Sequence, residues 1–382
     1  MVKGQLHLLS DVDLGVGEEV TLWLDIGWKV GIILNRLVMV HWSEYLRSRK
    51  SFGISIMFKL VTIYGGSGFI GRYVARRLAK AGWRVRVAVR RPNEAIFVKT
   101  YGVVGQVEPI FCNIRDDTSV AEALRGADAV VNCVGILQES GSNTFGAVQT
   151  DGAERIARMA AAGGVSRMVH FSAIGADLDS VSGYSRSKAA GEAGVLAHMP
   201  NAMILRPSIV FGAEDQFFNR FAGMSRFGPI LPIVGADTQF QPVFVDDLAR
   251  VATMGVMGTA SGGVYELAGP ESDSFRGLMT RMLDVVQRRR LIVGIPMFVA
   301  RIMATVFELG HKLSFGIAPL ALTRDQVRSL SVDNVPTGIE LGFDSLGIDP
   351  TSMESVLPEY LWPFRVSGQY ADIKASAKNL KA

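Results

Sequence analysis

Between residues 60 and 172 the chain alternates short, mainly apolar runs with stretches whose apolar positions recur at helical spacing. The runs at 60–64, 85–89, 107–112, 127–134 and 167–172 predict strands, and the run at 127–134 reads as a buried parallel strand. Val74, Leu78 and Ala81 mark a helix between the first two strands, and 120–124 begins another. A third helix is predicted over 145–162, with small residues on one face and Gly163 and Gly164 to end it. Such β-α alternation predicts a parallel sheet with helices on both sides.

The first strand empties into Gly65, Gly66, Ser67, Gly68, Phe69, Ile70 and Gly71, and the helix follows at once. In a strand-glycine-helix unit, Gly65 permits the tight turn, Gly68 lets the backbone approach a pyrophosphate, and Gly71 lets helix and strand pack closely. The predicted fold class is therefore α/β, a Rossmann-type doubly wound parallel sheet that binds a dinucleotide. Cofactor contacts are also expected from the strand ends, at Asn113 and Ile114, at Cys133, Val134 and Gly135, and at Pro207.

A carboxylate about 20 residues past the glycines would hold an adenosine ribose 2′-hydroxyl and repel a 2′-phosphate. Here the second strand ends in Arg90 and Arg91, and Arg72 follows the last glycine. Guanidinium groups bind phosphate through bidentate, charge-assisted contacts, which favours NADPH (NADP) over NADH, although such arginines also serve as solvated surface charges.

Tyr184 and Lys188 stand four apart on a predicted helix after the fifth strand, one above the other on the same face. An ammonium beside a phenol favours the phenolate, so the Tyr184 pKa is expected to fall and the group to exchange protons near neutral pH.

Composition narrows the remainder. The 382 residues carry a formal net charge of +4 without a long Lys/Arg block, so nucleic acid is not an expected partner. The two cysteines, Cys112 and Cys133, lie in strand-like runs, which suits buried thiols in a reduced compartment. No metal-ligand spacing is present among the histidines. Residues 1–56 hold Trp23, Trp28 and Trp42 and an apolar stretch interrupted by Asp25, Lys29 and Arg36, too often for a membrane span. Met57 precedes a short run-in to the first strand. The expectation is translation from Met57, the earlier residues being an upstream extension; a targeting segment and a partner-binding arm are the alternatives.

From residue 61 to about 256 the chain resembles the extended or atypical short-chain dehydrogenase/reductase superfamily. The resemblance rests on the glycine turn, on Tyr184 and Lys188, on the sixth-strand segment LRPSIVFG at 205–212, and on VFVDDLA at 243–249. It implies that Tyr184 is the general acid/base, that Lys188 holds the nicotinamide ribose, and that a hydroxyl after strand five polarises the substrate oxygen. The pattern departs there: Ile174 stands where extended members place that hydroxyl. Either Ser172 or Ser182 substitutes, or the donor is missing, and losing such a donor typically costs on the order of hundred-fold in rate.

Further segments, EDQFFNRF at 214–221, FGPI at 227–230, QPV at 241–243, LTRDQV at 322–327 and LGI at 346–348, are similar to the nine-alpha nucleotide-binding accessory subunits of respiratory complex I and their bacterial relatives. The resemblance covers about residues 58–365. It implies NADPH held in a structural or sensing role, respiratory complex I subunits or ubiquinone-biosynthesis proteins as partners, and a peripheral place on the inner membrane of a bacterium or the matrix side of a mitochondrion. An active NADPH-dependent reductase, epimerase or dehydratase acting on a quinone precursor or sugar nucleotide is the other reading.

The expected organisation is a nucleotide domain of residues 57–213 plus 241–258, a smaller discontinuous lobe of 214–240 plus 259–365, and a basic tail, 366–382. Within the lobe, Arg288, Arg289 and Arg290 precede an apolar stretch at 291–309 that reads as a helix, either buried or resting its apolar face on anionic lipid or a membrane subunit.

Overall fold

A computed structural model describes residues 20–25, 29–34, 59–313, 322–366 and 368–370. The expected upstream extension and basic tail fall largely outside the described residues. Within the former, Val20–Asp25 and Lys29–Leu34 pair antiparallel as a hairpin, with Val20 opposite Leu34.

The main sheet is parallel and has seven strands: β1 (Leu60–Tyr64), β2 (Arg84–Val89), β3 (Val107–Phe111), β4 (Ala129–Asn132), β5 (Arg167–Phe171), β6 (Met203–Pro207) and β7 (Gly263–Leu267). Their spatial order is β3-β2-β1-β4-β5-β6-β7. The order reverses between β1 and β4, so a crevice opens at the carboxyl ends of those strands, where this class of sheet binds ligands. Residues 263–267, expected in the smaller lobe, instead form the sheet's edge.

Central strands are closed on both faces. On β1, Val61 and Ile63 join a core with Val74 and Leu78 of helix α1 (Phe69–Lys80) and Leu248 and Ala252 of a later helix. Thr62 and Tyr64 point the other way, donating to the carbonyls of Ala123 and Val120 at 2.7 and 2.8 Å. Those acceptors belong to α2 (Asp117–Leu124), so two buried hydroxyls anchor it over the sheet. Ala81, expected on the buried face of α1, is its exposed C-terminal cap; Ala75 and Ala79 complete that face. The helix predicted over 145–162 opens with a π turn at Gly146–Thr150 before α3 (Asp151–Ala162). After β5 comes α4 (Gly183–His198).

A second core gathers α5 (Phe218–Met224) and residues 231–240, 275–286 and 353–361 around a cluster of phenylalanines, with Phe217 and Phe275 stacked at 5.4 Å. Helix α6 (Val245–Met257) returns to the main sheet, where Asp246 takes both nitrogens of Arg77 of α1 at 2.6–2.7 Å. Beyond α7 (Phe275–Val285) the expected helix at 291–309 is two elements. Leu291–Ile295 is a strand paired in parallel with Ile230–Val234, and Pro296 separates it from α8 (Met297–Leu313). A continuous apolar run cannot by itself tell a strand from a helix. Ala300 and Ala304 of α8 are buried with Val234 and with Val327 of α9 (Arg324–Ser329). Phe298, Ile302, Val306 and Leu309 face outward. Among the described residues no helix is long and apolar enough to cross a membrane.

The chain finally crosses back. Asn334 accepts from the Ser208 hydroxyl at 2.8 Å, and buried Glu266 of β7 accepts from the backbone N–H and hydroxyl of Thr337 at 2.6 and 2.9 Å. Phe343 and Ile348 enter the main core, and Thr351 donates to Asp247 before α10 (Met353–Leu361).

Candidate functional site

The turn after β1 is built on glycine for reasons of space. Gly65 adopts φ +73°, and its amide donates to Ala88 at 3.0 Å. A Cβ on Gly71 would lie 2.4 Å from the Gly65 carbonyl oxygen and 2.7 Å from the Gly66 Cα, so only glycine lets α1 pack this close to the turn. Gly68 caps α1, with no side-chain cap and no acid in the first turn. The unpaired N–H groups of that first turn, at Phe69, Ile70 and Gly71, and the positive end of the helix form a cradle that fits a pyrophosphate.

Ser67, Val89, Arg90, Arg91 and Glu94 line an adjoining cavity of ≈ 500 Å³. Glu94 corrects the expectation that no acid stands at this strand end. A 3-10 helix, Pro92–Tyr101, turns the chain back at Pro92, and Glu94 accepts from Arg91 at 2.9 Å. Arg72, expected at a 2′-phosphate, instead braces the turn: it donates to the Ser67 carbonyl and to Glu214, both at 3.2 Å, and lies over the Phe97 ring.

The other strand ends converge as the fold requires. Asn113 and Ile114 follow β3, the Asn113 amide donating to Ser119 Oγ at 2.9 Å. Cys133 continues β4, its amide bonded to the Tyr64 carbonyl, and the Val134 amide donates to Asn132 Oδ1 at 3.1 Å. Gly135 comes next, and a Cβ there would meet Lys188 Nζ at 3.4 Å. Pro207 ends β6, its carbonyl accepting from the Ile174 amide.

Lys188 on α4 is buried and donates to the Phe171 carbonyl at 3.0 Å, its Nζ 6.0 Å from the Tyr184 ring centre. Burial lowers the amine to about 8, against smaller raising effects of Glu192 and Cys133. The Tyr184 phenol is not lowered as expected. Burial raises it to about 12, with the Lys188 ammonium 6.0 Å from the ring centre. Phe145 packs edge-on against Tyr184 at 5.9 Å.

Neither serine offers a free replacement for the hydroxyl that Ile174 displaces. Ser172 is 4% exposed, and its Oγ has no partner among the described residues. Ser182 is 2% exposed and donates to Asp325 at 2.9 Å, committed to the start of α4. His170, behind Ser172 on β5, contacts Asn132 at 3.1 Å; burial, helped by the Lys188 charge, lowers it to about 3 and keeps it neutral.

Sequence reading missed Glu94, Asp325 and the pair of Glu192 with Arg206. In that pair a buried carboxylate takes two guanidinium nitrogens at 2.6 and 2.9 Å and ties α4 to β6. The RP segment had marked Arg206, but its acid lies 14 residues earlier.

Cradle, strand ends and the buried lysine together define a dinucleotide-binding α/β protein. The model of the NAD dependent epimerase/dehydratase family matches residues 61–268. The chain belongs to that family. A mitochondrial NADH dehydrogenase [ubiquinone] 1 alpha subcomplex subunit 9 from Arabidopsis thaliana is 32% identical over 316 residues, covering 81% of this chain and 79% of that protein. A ceramide reductase from Caulobacter vibrioides is 31% identical over 190 residues, 50% of this chain and 58% of the reductase. Among solved structures, the NADPH-dependent quinone oxidoreductase QOR2 of Escherichia coli, complexed with NADPH, shares the fold at a TM-score of 0.59, with 16% identity over 79% of this chain and 98% of that one.

Proposed function

We propose that this protein is an NADP(H)-binding accessory or assembly protein of a respiratory NADH:quinone oxidoreductase and that it holds its nucleotide with little turnover. The observation that carries this reading is the pairing of a complete cradle with an incomplete reaction centre. Gly65, Gly68 and Gly71 leave the space a pyrophosphate needs, while Ile174 stands where the family's hydroxyl is expected, Ser172 is buried and Ser182 is committed to Asp325. A bound nicotinamide would supply a hydride. The chain's own groups bind it: α1 amides at the pyrophosphate, Arg90 and Arg91 at the 2′-phosphate, and Lys188 with Tyr184 at the nicotinamide ribose. A phenol raised to about 12 keeps its proton and serves as a donor rather than a base.

The resemblance to the Arabidopsis subunit supports complex I as partner. Peripheral contact with a membrane is part of the same proposal, supported by the outward apolar residues Phe298, Ile302, Val306 and Leu309 of α8. Quinone-biosynthesis proteins are the alternative partners. The test is mass identification of the nucleotide and proteins that co-purify with the untagged chain from its own membranes; NADPH with complex I subunits is the expected result. Retention of Tyr184 and Lys188, and the likeness to a ceramide reductase, favour a reductase as the second reading. Rapid oxidation of added NADPH with a quinone or lipid ketone would establish it.

A further inference from the structure

We infer that Asp325, on α9 in the carboxyl-terminal half, is a positioning residue for the nicotinamide end of the dinucleotide site, acting through the helix that carries Tyr184 and Lys188. The inference rests on the dinucleotide reading above and adds a residue and a coupling to it.

The first turn of any helix leaves backbone N–H groups without intrahelical partners. For α4, the cap Ser182 satisfies only the Ser185 amide, at 3.4 Å. The other two are taken by a side chain more than 140 residues away: Asp325 Oδ1 accepts from the Gly183 amide at 2.7 Å and Oδ2 from the Tyr184 amide at 3.1 Å. The same Oδ2 accepts from the Ser182 hydroxyl at 2.9 Å. One carboxylate therefore fixes three consecutive residues, the last of them Tyr184, and places negative charge on the positive end of the helix.

Asp325 is itself held firmly. Thr323 and Gln326 form a reciprocal capping box at the start of α9, and Val327 is buried against Ala300 and Ala304 of α8. Glu308 of α8 accepts from both the amide and the Nε of Arg324, at 2.8 and 2.7 Å. A continuous set of contacts thus runs from α8 through α9 to the backbone of Tyr184. Ser182 and Asp325 are what make the LTRDQV segment more than a surface helix.

The test compares two ligands on the full chain by calorimetry: NADPH, which spans the site, and adenosine 2′,5′-bisphosphate, which stops short of α4. Asp325→Ala is expected to weaken NADPH about ten-fold, the size of a lost helix cap, and to leave the bisphosphate unchanged. Asp325→Asn keeps one carbonyl acceptor but loses the charge and the second acceptor, and is expected to weaken NADPH by about two- to three-fold. Equal weakening of both ligands, or unchanged NADPH affinity in a folded Asp325→Ala protein, would overturn the inference. If Asp325→Ala does not fold, Asp325→Asn is read alone: a small loss confined to NADPH supports the role, and no loss or an equal loss rejects it. A parent protein that binds neither ligand would instead refute the dinucleotide site itself.

Discussion

Arg91 and Glu94 face each other at 2.9 Å on the wall of the cavity beside the glycine turn, an ion pair at the end of the strand proposed to meet the adenosine ribose. Both side chains are mostly exposed, 77% and 68%, so the pair contributes little stability and is free to exchange partners. On the proposed NADP(H) reading, Glu94 would compete with the 2′-phosphate for Arg91. Glu94→Gln is expected to tighten NADPH binding about two- to five-fold, the range for an exposed pair, with little effect on NADH. Arg90→Ala with Arg91→Ala should weaken NADPH about ten-fold or more and NADH hardly at all, since charged hydrogen bonds are worth about 1.5–3 kcal/mol before solvent screening. Parallel titrations of both nucleotides decide; equal losses would remove the 2′-phosphate assignment.

The glycines of the turn should separate folding from binding. At Gly68 a Cβ would meet only the Gly65 carbonyl oxygen, at 3.1 Å, so Gly68→Ala should fold with a near-native melting temperature and lose nucleotide affinity. At Gly71 the clash is with the backbone of Gly65 and Gly66. Gly71→Ala should cost about 1–3 kcal/mol, the usual range for overpacking, and lower the melting temperature as well.

Lys188 sets a pH dependence whose direction follows from its burial. Its folded-state amine titrates at about 8, below the ordinary 10.5. Below pH 8 both states are protonated, and the cost of burying the charge is fully present. Between 8 and 10.5 the unfolded chain binds a proton that the folded one has released, so stability contributed through this group rises with pH, by about 3 kcal/mol across the window. Urea unfolding from pH 7.5 to 10.5 should show this rise in the parent relative to Lys188→Met. Superimposable profiles for the two proteins would mean that Lys188 titrates normally.

Loss of the Tyr184 hydroxyl should matter less than loss of the cradle. Phenylalanine preserves the edge contact with Phe145, so Tyr184→Phe should keep normal abundance. In a deletion strain it is expected to restore most of the NADH:quinone activity of membranes, where Gly68→Val restores little. A Tyr184→Phe strain as impaired as the deletion would identify a working enzyme.

The sheet was legible because its central strands are short, mainly apolar runs, and the cradle because its glycines stand between a strand and a helix. Long-range and turn-dependent partners were not. Glu94 reaches the cavity only because the chain folds back at Pro92, and Asp325 meets α4 across more than 140 residues. Neither relationship leaves a spacing to read. The strand Leu291–Ile295 was hidden for another reason: its apolar run continues into α8, and Pro296 is a small mark for a change from strand to helix.

The return of residues 334–351 to the main sheet has a consequence for the order of assembly. Ser208, Asp247 and Glu266 are buried groups whose partners, Asn334, Thr351 and Thr337, are made 71 to 126 residues later. Until then, among the described residues, the carboxylate of Glu266 is paired with Arg206, and Phe343 and Ile348 are missing from the core. Contacts of such long separation form late. On the ribosome, nucleotide capture should therefore follow the arrival of residues 334–351 rather than completion of the glycine turn, and a nascent chain arrested before residue 334 should remain open to protease with or without NADPH.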